Sequence, residues 1–166
     1  MIKIEQDKLI YELDENEKTA SIVDNNSASG DLFIPLFIKH NTDEYLITKI
    51  SEDAFKHLMT ITSVRFPENS QLQVISKNAF RYSSIESIYI PPHVTRICEY
   101  AFYSCQNLNH VEIPENSELK MIEKYAFADS SLEKIFIPKH VTQISEYSFS
   151  TPNKLQQVQI PYDSEL

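Results

Sequence analysis

The sequence predicts a repeat solenoid, in which coils stack along one axis and each adds a short strand parallel to the one before. Three observations carry that expectation. An Ile-Pro or Phe-Pro pair recurs at Ile34-Pro35, Phe66-Pro67, Ile90-Pro91, Ile113-Pro114, Ile137-Pro138 and Ile160-Pro161, and from Pro67 onward the spacings are 24, 23, 24 and 23 residues. A second marker, Ala-Phe, ends on Phe55, Phe80, Phe102 and Phe127, with Ser148-Phe149 as its variant. Each of these rings follows an isoleucine by five residues: Ile50, Ile75, Ile97, Ile122 and Ile144. The coils also alternate in type, giving a double unit of 47 residues. Residues 67–72 read PENSQL and 114–119 read PENSEL, whereas 90–95 read IPPHVT and 137–142 read IPKHVT.

Before each proline the pattern L-x-x-I-x-I-P alternates apolar and polar residues, as in Leu108, Val111 and Ile113, which is the period of a strand. Ile88, Ile90, Val111, Ile113, Ile135, Ile137, Val158 and Ile160 are therefore expected on strands and pointing into one core, with the five phenylalanines in a buried column behind them. A single coil buries about five apolar side chains at roughly 1.5–3 kcal/mol each. Ordering its backbone costs on the order of 1–2 kcal/mol per residue, so coils must share a core to be stable. Toward the N-terminus, residues 8–13 and 19–24 alternate around the polar run 14–18 and predict a β-hairpin over the first strand edge. The chain divides on this basis into a hairpin cap, residues 1–27, and a solenoid, residues 28–166, whose last repeat is incomplete. A second hairpin over residues 36–48, turning near His40 to Glu44, lengthens the first coil.

L-x-x-I-x-I-P followed by V-T-x-I, A-F and C-x-x-L resembles the BspA-type, or treponemal-type, leucine-rich repeat over roughly residues 28–166. The resemblance implies a leucine-rich-repeat solenoid with a concave face of short parallel strands and short helical or 3₁₀ turns on the convex side. It also implies kinship with surface proteins and adhesins of bacteria and parasitic protists. The family often carries glycine after the V-T-x-I isoleucine, where this chain has Ser51, Ser76, Cys98, Glu123 and Ser145, a departure that bears on the local bend.

Composition narrows the function. A net charge of −9 argues against nucleic acid as a partner, because phosphate binding needs clustered Lys and Arg, and it favours a basic partner instead. The single glycine, Gly30, leaves no phosphate-cradling loop or dinucleotide fingerprint. No G-x-S-x-G elbow, H-E-x-x-H or EF-hand loop occurs, so no catalytic residues and no cofactor are expected. Cys98 and Cys105 read as packed, reduced thiols rather than a disulfide framework. His93 and His140 lie two coils apart, about 10 Å by strand spacing, too far to share a zinc ion. With Asn69, Asn116 and Asp163 they read as a polar column at the strand exits. No apolar run spans a bilayer and the N-terminal residues lack a signal-peptide core, so the chain reads as cytoplasmic as given. The family resemblance points to the cell surface instead. Asn25-Asn26-Ser27 is a glycosylation sequon, of consequence only in a secreted protein.

The expected binding surface is the outward side of the strands. Its central column holds Arg65, Tyr89, Glu112, Phe136 and Gln159, flanked by Ser63, Ser87, His110, Lys134 and Gln157. Tyr89 and Phe136 are large rings on a polar face. They read either as anchors for a protein partner or as residues chosen for strand propensity. Tyr100, Tyr125 and Tyr147 form a further column, either a stack that stabilises the coil or a second binding face. Two functions follow from these readings: a non-catalytic protein-recognition module, or a structural spacer in a longer array. Residues 161–166 begin another PENSEL-like turn and stop, so the edge they leave is expected to fray or to self-associate.

Overall fold

The period-two segments near the N-terminus form a meander. In the computed structural model, which describes residues 2–150 and 154–166, β1 (Ile2–Gln6), β2 (Leu9–Asp14) and β3 (Thr19–Asn25) pair antiparallel in that order. Leu9, Tyr11, Leu13, Ala20 and Ile22 turn to the core. β4 (Gly30–Phe33) opens the row of strands that precede the prolines. β5 (Phe37–His40) and β6 (Asp43–Ile50) form the hairpin that lengthens the first coil. The meander docks through β3 on β6, in parallel. It thus extends the sheet on the flank of the coils, and β4 remains the edge of the other strand row.

From β7 (Ile61–Arg65) onward each coil carries a strand on two sides. The order is β8 (Val74–Ile75), β9 (Ser87–Tyr89), β10 (Arg96–Ile97), β11 (His110–Glu112), β12 (Met121–Ile122), β13 (Lys134–Phe136), β14 (Gln143–Ile144) and β15 (Gln157–Gln159). Strands β4, β7, β9 and β11 pair in parallel, as do β13 and β15. The two-residue strands β8, β10, β12 and β14, each ending on the V-T-x-I isoleucine or its equivalent, continue the nine-stranded flank sheet from β6. The result is a β-solenoid of about six turns, with no helix among the described residues. The strands before the prolines stop one residue short of expectation. Ile90, Ile113 and Ile137 lie just past them yet remain buried, and the amides of Ile90 and Ile137 still donate to the next coil, to the carbonyls of Glu112 and Gln159, both at 2.9 Å.

Behind the strands the phenylalanines stack face to face. Successive ring centroids from Phe55 through Phe80, Phe102 and Phe127 to Phe149 are 5.0, 5.1, 5.1 and 5.5 Å apart. The turns that carry these rings are not helical or 3₁₀. The amides of Asp53, Phe55 and His57 donate across to the carbonyls of Lys77, Ala79 and Arg81, while those of Ala54, Lys56 and Leu58 bond back three residues within the turn. The next coils repeat the arrangement: Asn78, Phe80 and Tyr82 donate to Glu99, Ala101 and Tyr103. Reaching across this way needs left-handed residues two before and two after the Phe. These are Asp53 and His57, Asn78 and Tyr82, Tyr100 and Ser104, and Tyr125 and Asp129, all with φ between 56° and 61°. By contrast Ser51, Ser76, Cys98, Glu123 and Ser145 have ordinary φ, so nothing there demands the family's glycine.

A left-handed backbone costs a side chain with a Cβ roughly 1–2 kcal/mol, least for Asn and most for β-branched residues. Asn78 stands at φ 56°. Asn78→Val is therefore expected to lower stability by about 1–2 kcal/mol in urea denaturation, while Asn78→Gly stays close to the parent.

The last layer is less covered than those before it, as its incomplete repeat implies, and two of its residues depart from expectation. Val158 and Ile160 are 45% and 43% exposed instead of pointing into a closed core, because no coil packs beyond them among the described residues. Phe149 and Leu155 are only part-buried, whereas Phe102 and Leu108 are fully enclosed.

Candidate functional site: the outer face of the strands

Alternation sends one residue of each strand inward and its neighbours outward. Val64, Ile88, Val111 and Ile135 are buried, and Arg65, Tyr89, Glu112 and Phe136 beside them face out. The strand register aligns Phe33 with Arg65, Tyr89 with Glu112, and Phe136 with Gln159. Ser63 and Ser87 are likewise in register, as are His110 with Ser87 and Lys134 with Gln157. The structure brings all ten predicted residues onto one face. It adds Phe33, 53% exposed at the N-terminal edge. Phe33 precedes Ile34-Pro35 just as Tyr89 precedes Ile90-Pro91, so aligning the residue before each Ile-Pro would have found it.

Local chemistry on this face is polar and largely unpaired. Asp31 accepts hydrogen bonds from Ser63 Oγ at 2.8 Å and Thr62 Oγ1 at 3.1 Å, which hold its carboxyl below the usual range, with Arg65 adding to the effect. Burial raises the Tyr89 hydroxyl above its ordinary pKa, and the carboxylates of Glu112 and Glu68 push it further the same way. Tyr89 therefore stays a donor at neutral pH. Between β11 and β13 the ladder is open. A cleft of about 240 Å³ lies there, lined by His110, Glu112, Lys134, Phe136, Gln157 and Gln159 over the apolar floor of Val111, Ile113 and Ile135.

The tyrosine column is built differently. Tyr100, Tyr125 and Tyr147 stack with centroids 5.1 and 5.2 Å apart and planes within 9° of parallel. Their faces are turned to one another, and Arg81 sits 4.8, 5.1 and 5.2 Å from the rings of Tyr82, Tyr100 and Tyr103. Only ring edges and the outer face of Tyr147 remain for a ligand, an arrangement suited to stiffening the turns.

The histidines pair with carboxylates one coil along. His93 Nδ1 is 3.0 Å from Glu118 Oε1, and His140 Nδ1 is 2.6 Å from Glu165 Oε1. The polar column thus closes through Glu118 and Glu165, two residues beyond Asn116 and Asp163. Cys105 is buried, its thiol raised to about 11 by desolvation, and Cys98 is also raised, chiefly by burial. Both are free thiols of low reactivity.

Glu165 gives this rim a pH dependence. Its carboxyl lies below the ordinary range, first because of the His140 hydrogen bond and then because of Lys120, His140 and Lys139 charges. A depressed carboxyl stabilises the folded form above its unfolded pKa, about 4.3 for glutamate, and loses that contribution as pH falls through the lower folded value. The contact between the Glu165 carboxyl and His140 is expected to open in that acid window, while the Glu165 amide keeps its bond to the Lys139 carbonyl. The Leu166 amide resonance should report the opening as a small shift, and Glu165→Gln should show the same shift at neutral pH.

The sequence matches the family described as BspA type leucine rich repeat region, in six copies over residues 38–156. The chain belongs to the BspA-type leucine-rich repeat family. A leucine-rich repeat protein from Bacteroides ovatus is similar in structure, with a TM-score of 0.84 and 25% identity over 95% of this chain and 41% of that one. The pneumococcal vaccine antigen PcpA gives 0.75 and 22% over 98% of this chain and 50% of that one. A leucine rich cell surface protein from Faecalibacterium prausnitzii gives 0.52 and 21% over 99% of this chain and 55% of that one. This BspA-type chain therefore spans about half or less of each of these three proteins. No curated protein matches it. No helix among the described residues is long and apolar enough to cross a membrane.

Proposed function

We propose that the chain is a non-catalytic recognition module, displayed at a cell surface, that binds a protein through the outer face of its strands. The observation that carries this reading is the set of rings Phe33, Tyr89 and Phe136, held outward by strand register on an otherwise polar face. Aromatic anchors of this kind dominate binding energy when a partner desolvates them. The acidic balance of the chain favours a basic partner. Family membership supports the recognition role, and the cell-surface description of the F. prausnitzii neighbour supports the location.

Capture of binding proteins from a mixed protein extract by the parent and by a Tyr89→Ser, Phe136→Ser variant tests the reading. Both side chains point away from the core, so the variant should keep the parent's circular dichroism and melting temperature while losing most of the capture. Equal capture by the two, with loss on changing Tyr100 and Tyr147 instead, would move the site to the tyrosine column. The second reading, a spacer, draws on residues 161–166. There the Ser164 amide bonds to the Pro161 carbonyl as Ser117 does to Pro114, so the coil geometry propagates. A spacer would capture nothing that depends on either set of rings.

A further inference from the structure

Two cavities meet where the C-terminal strands give way to their prolines. The cleft of about 240 Å³ between β11 and β13 adjoins a larger one of about 630 Å³ at the strand exits, and Phe136 and Gln159 line both. The larger volume lies within the ~300–1,000 Å³ usual for small-ligand sites, and the smaller is an extension of it. Phe136 is half-buried on β13, and among the described residues no other ring and no cation packs on it. Ile160 and Pro161 supply further apolar wall.

The polar groups of the larger cavity divide into those already engaged and those free. Lys139 Nζ lies 3.7 Å from Asp163 Oδ2, and His140 Nδ1 meets Glu165. Glu115, Asn116 and Gln159 form no ion pair and no side-chain hydrogen bond among the described residues. Gln157, in the smaller cleft, is equally free. These free groups select the ligand. An anion meets Glu115 uncompensated, because the one lysine in the lining is already paired. A cation suits Glu115 but has only N–H groups to offer, and leaves the amide N–H groups of Asn116 and Gln159 without acceptors. An apolar ligand strips water from all three side chains and returns no hydrogen bond. A hydroxyl both donates and accepts, so it matches carboxamide and carboxylate alike. The Phe136 ring adds a second requirement, an apolar face to lie against it. A pyranose with equatorial hydroxyls meets both, with C–H bonds on its two faces and hydroxyls around its edge.

We propose that this rim cavity binds a neutral oligosaccharide of equatorially substituted pyranose units. One unit stacks on Phe136 with its hydroxyls on Asn116, Gln159 and Glu115, and the next enters the cleft between β11 and β13 beside Gln157. The inference goes beyond the strand-face reading and does not rest on it, because Tyr89 lines neither cavity.

The test is a titration of the whole chain, followed through the side-chain amide resonances of Asn116 and Gln159 and through the sugar's own resonances. Cellotetraose is the probe, glucose the single-unit comparison, and tetra-arginine and a heparin tetrasaccharide the cationic and anionic rivals. Cellotetraose is expected to shift both amides and to bind at least about tenfold more tightly than glucose or either rival. Its affinity should not change with salt, since it carries no charge. Phe136→Ala, and separately the pair Asn116→Ala with Gln159→Ala, should each weaken it at least about tenfold, while Tyr89→Ser leaves it unchanged. The two cavity variants alter different side chains at the surface, and unshifted core resonances of Phe102 show that each keeps its fold. No response of the two amides to cellotetraose overturns the proposal, as does tighter binding of either charged rival or parent-like affinity in both cavity variants. Cellotetraose binding lost in Tyr89→Ser also overturns it, by moving the sugar onto the strand face. Capture from the extract lost in Tyr89→Ser, with cellotetraose binding intact, supports the two sites as separate.

Discussion

Phe102→Ala is expected to lower the stability of the chain by about 3–5 kcal/mol, read as a shift in the urea midpoint. The ring is fully buried between Phe80 and Phe127, parallel to both within 4° and 5.1 Å from each. Removing it loses the transfer energy of a phenyl group and two stacking contacts, each worth about 0.5–1.5 kcal/mol. It also leaves a void that cannot close, because the cross-coil bonds from the Phe102 amide to Ala126 and from Phe80 to Ala101 fix the backbone on either side. Phe149→Ala provides the internal comparison. That ring stacks on one phenylalanine neighbour, Phe127, and is only part-buried, so its loss should cost clearly less. Equal costs at the two positions would mean that the stack is not the element that couples the coils.

The second large effect is expected at the C-terminal layer. Val158 and Ile160 are half exposed, and among the described residues no strand pairs with the outer edge of β15. Opening this layer uncovers little additional apolar surface, so the amides of Gln157–Gln159 should exchange orders of magnitude faster than those of Ser87–Tyr89. An open edge also invites pairing with another copy, so the isolated chain should associate at high concentration in sedimentation. Grafting one further coil of the PENSEL type after Gln159 should suppress both behaviours. A monomer at high concentration whose Gln157–Gln159 amides are as protected as Ser87–Tyr89 would show that residues 161–166 suffice as a cover.

The core is legible in the sequence because a repeat states the same packing position several times. Phe55, Phe80, Phe102, Phe127 and Phe149 recur at one phase, and that is enough to align the coils. Features too short to show a period were not readable. The flank strands are two residues long, as at Arg96–Ile97, and two residues cannot alternate. β1 escaped because Ile2 and Ile4 offer just two apolar positions at a chain end. The left-handed turns were hidden by their residues: tyrosine at positions 100 and 125 is not a residue that advertises positive φ. Of the outer strand face, Arg65 through Gln159 follow from alternation alone, whereas Phe33 is masked by the hairpin that stretches its coil.

The pairing of His93 with Glu118 and of His140 with Glu165 has a consequence for how such an array can grow. Each histidine coil is complementary to the glutamate coil that follows it. Deleting one coil, or duplicating one, would set histidine beside histidine or glutamate beside glutamate along that rim and break the matched loop lengths on the opposite flank. Inserting 47 residues at a time preserves every neighbour. The unit of length that keeps these pairings intact is therefore a cassette of two coils. Lengthening by whole cassettes also adds a ring of the Tyr89 and Phe136 kind at each step, so a longer array would gain contacts in the same register.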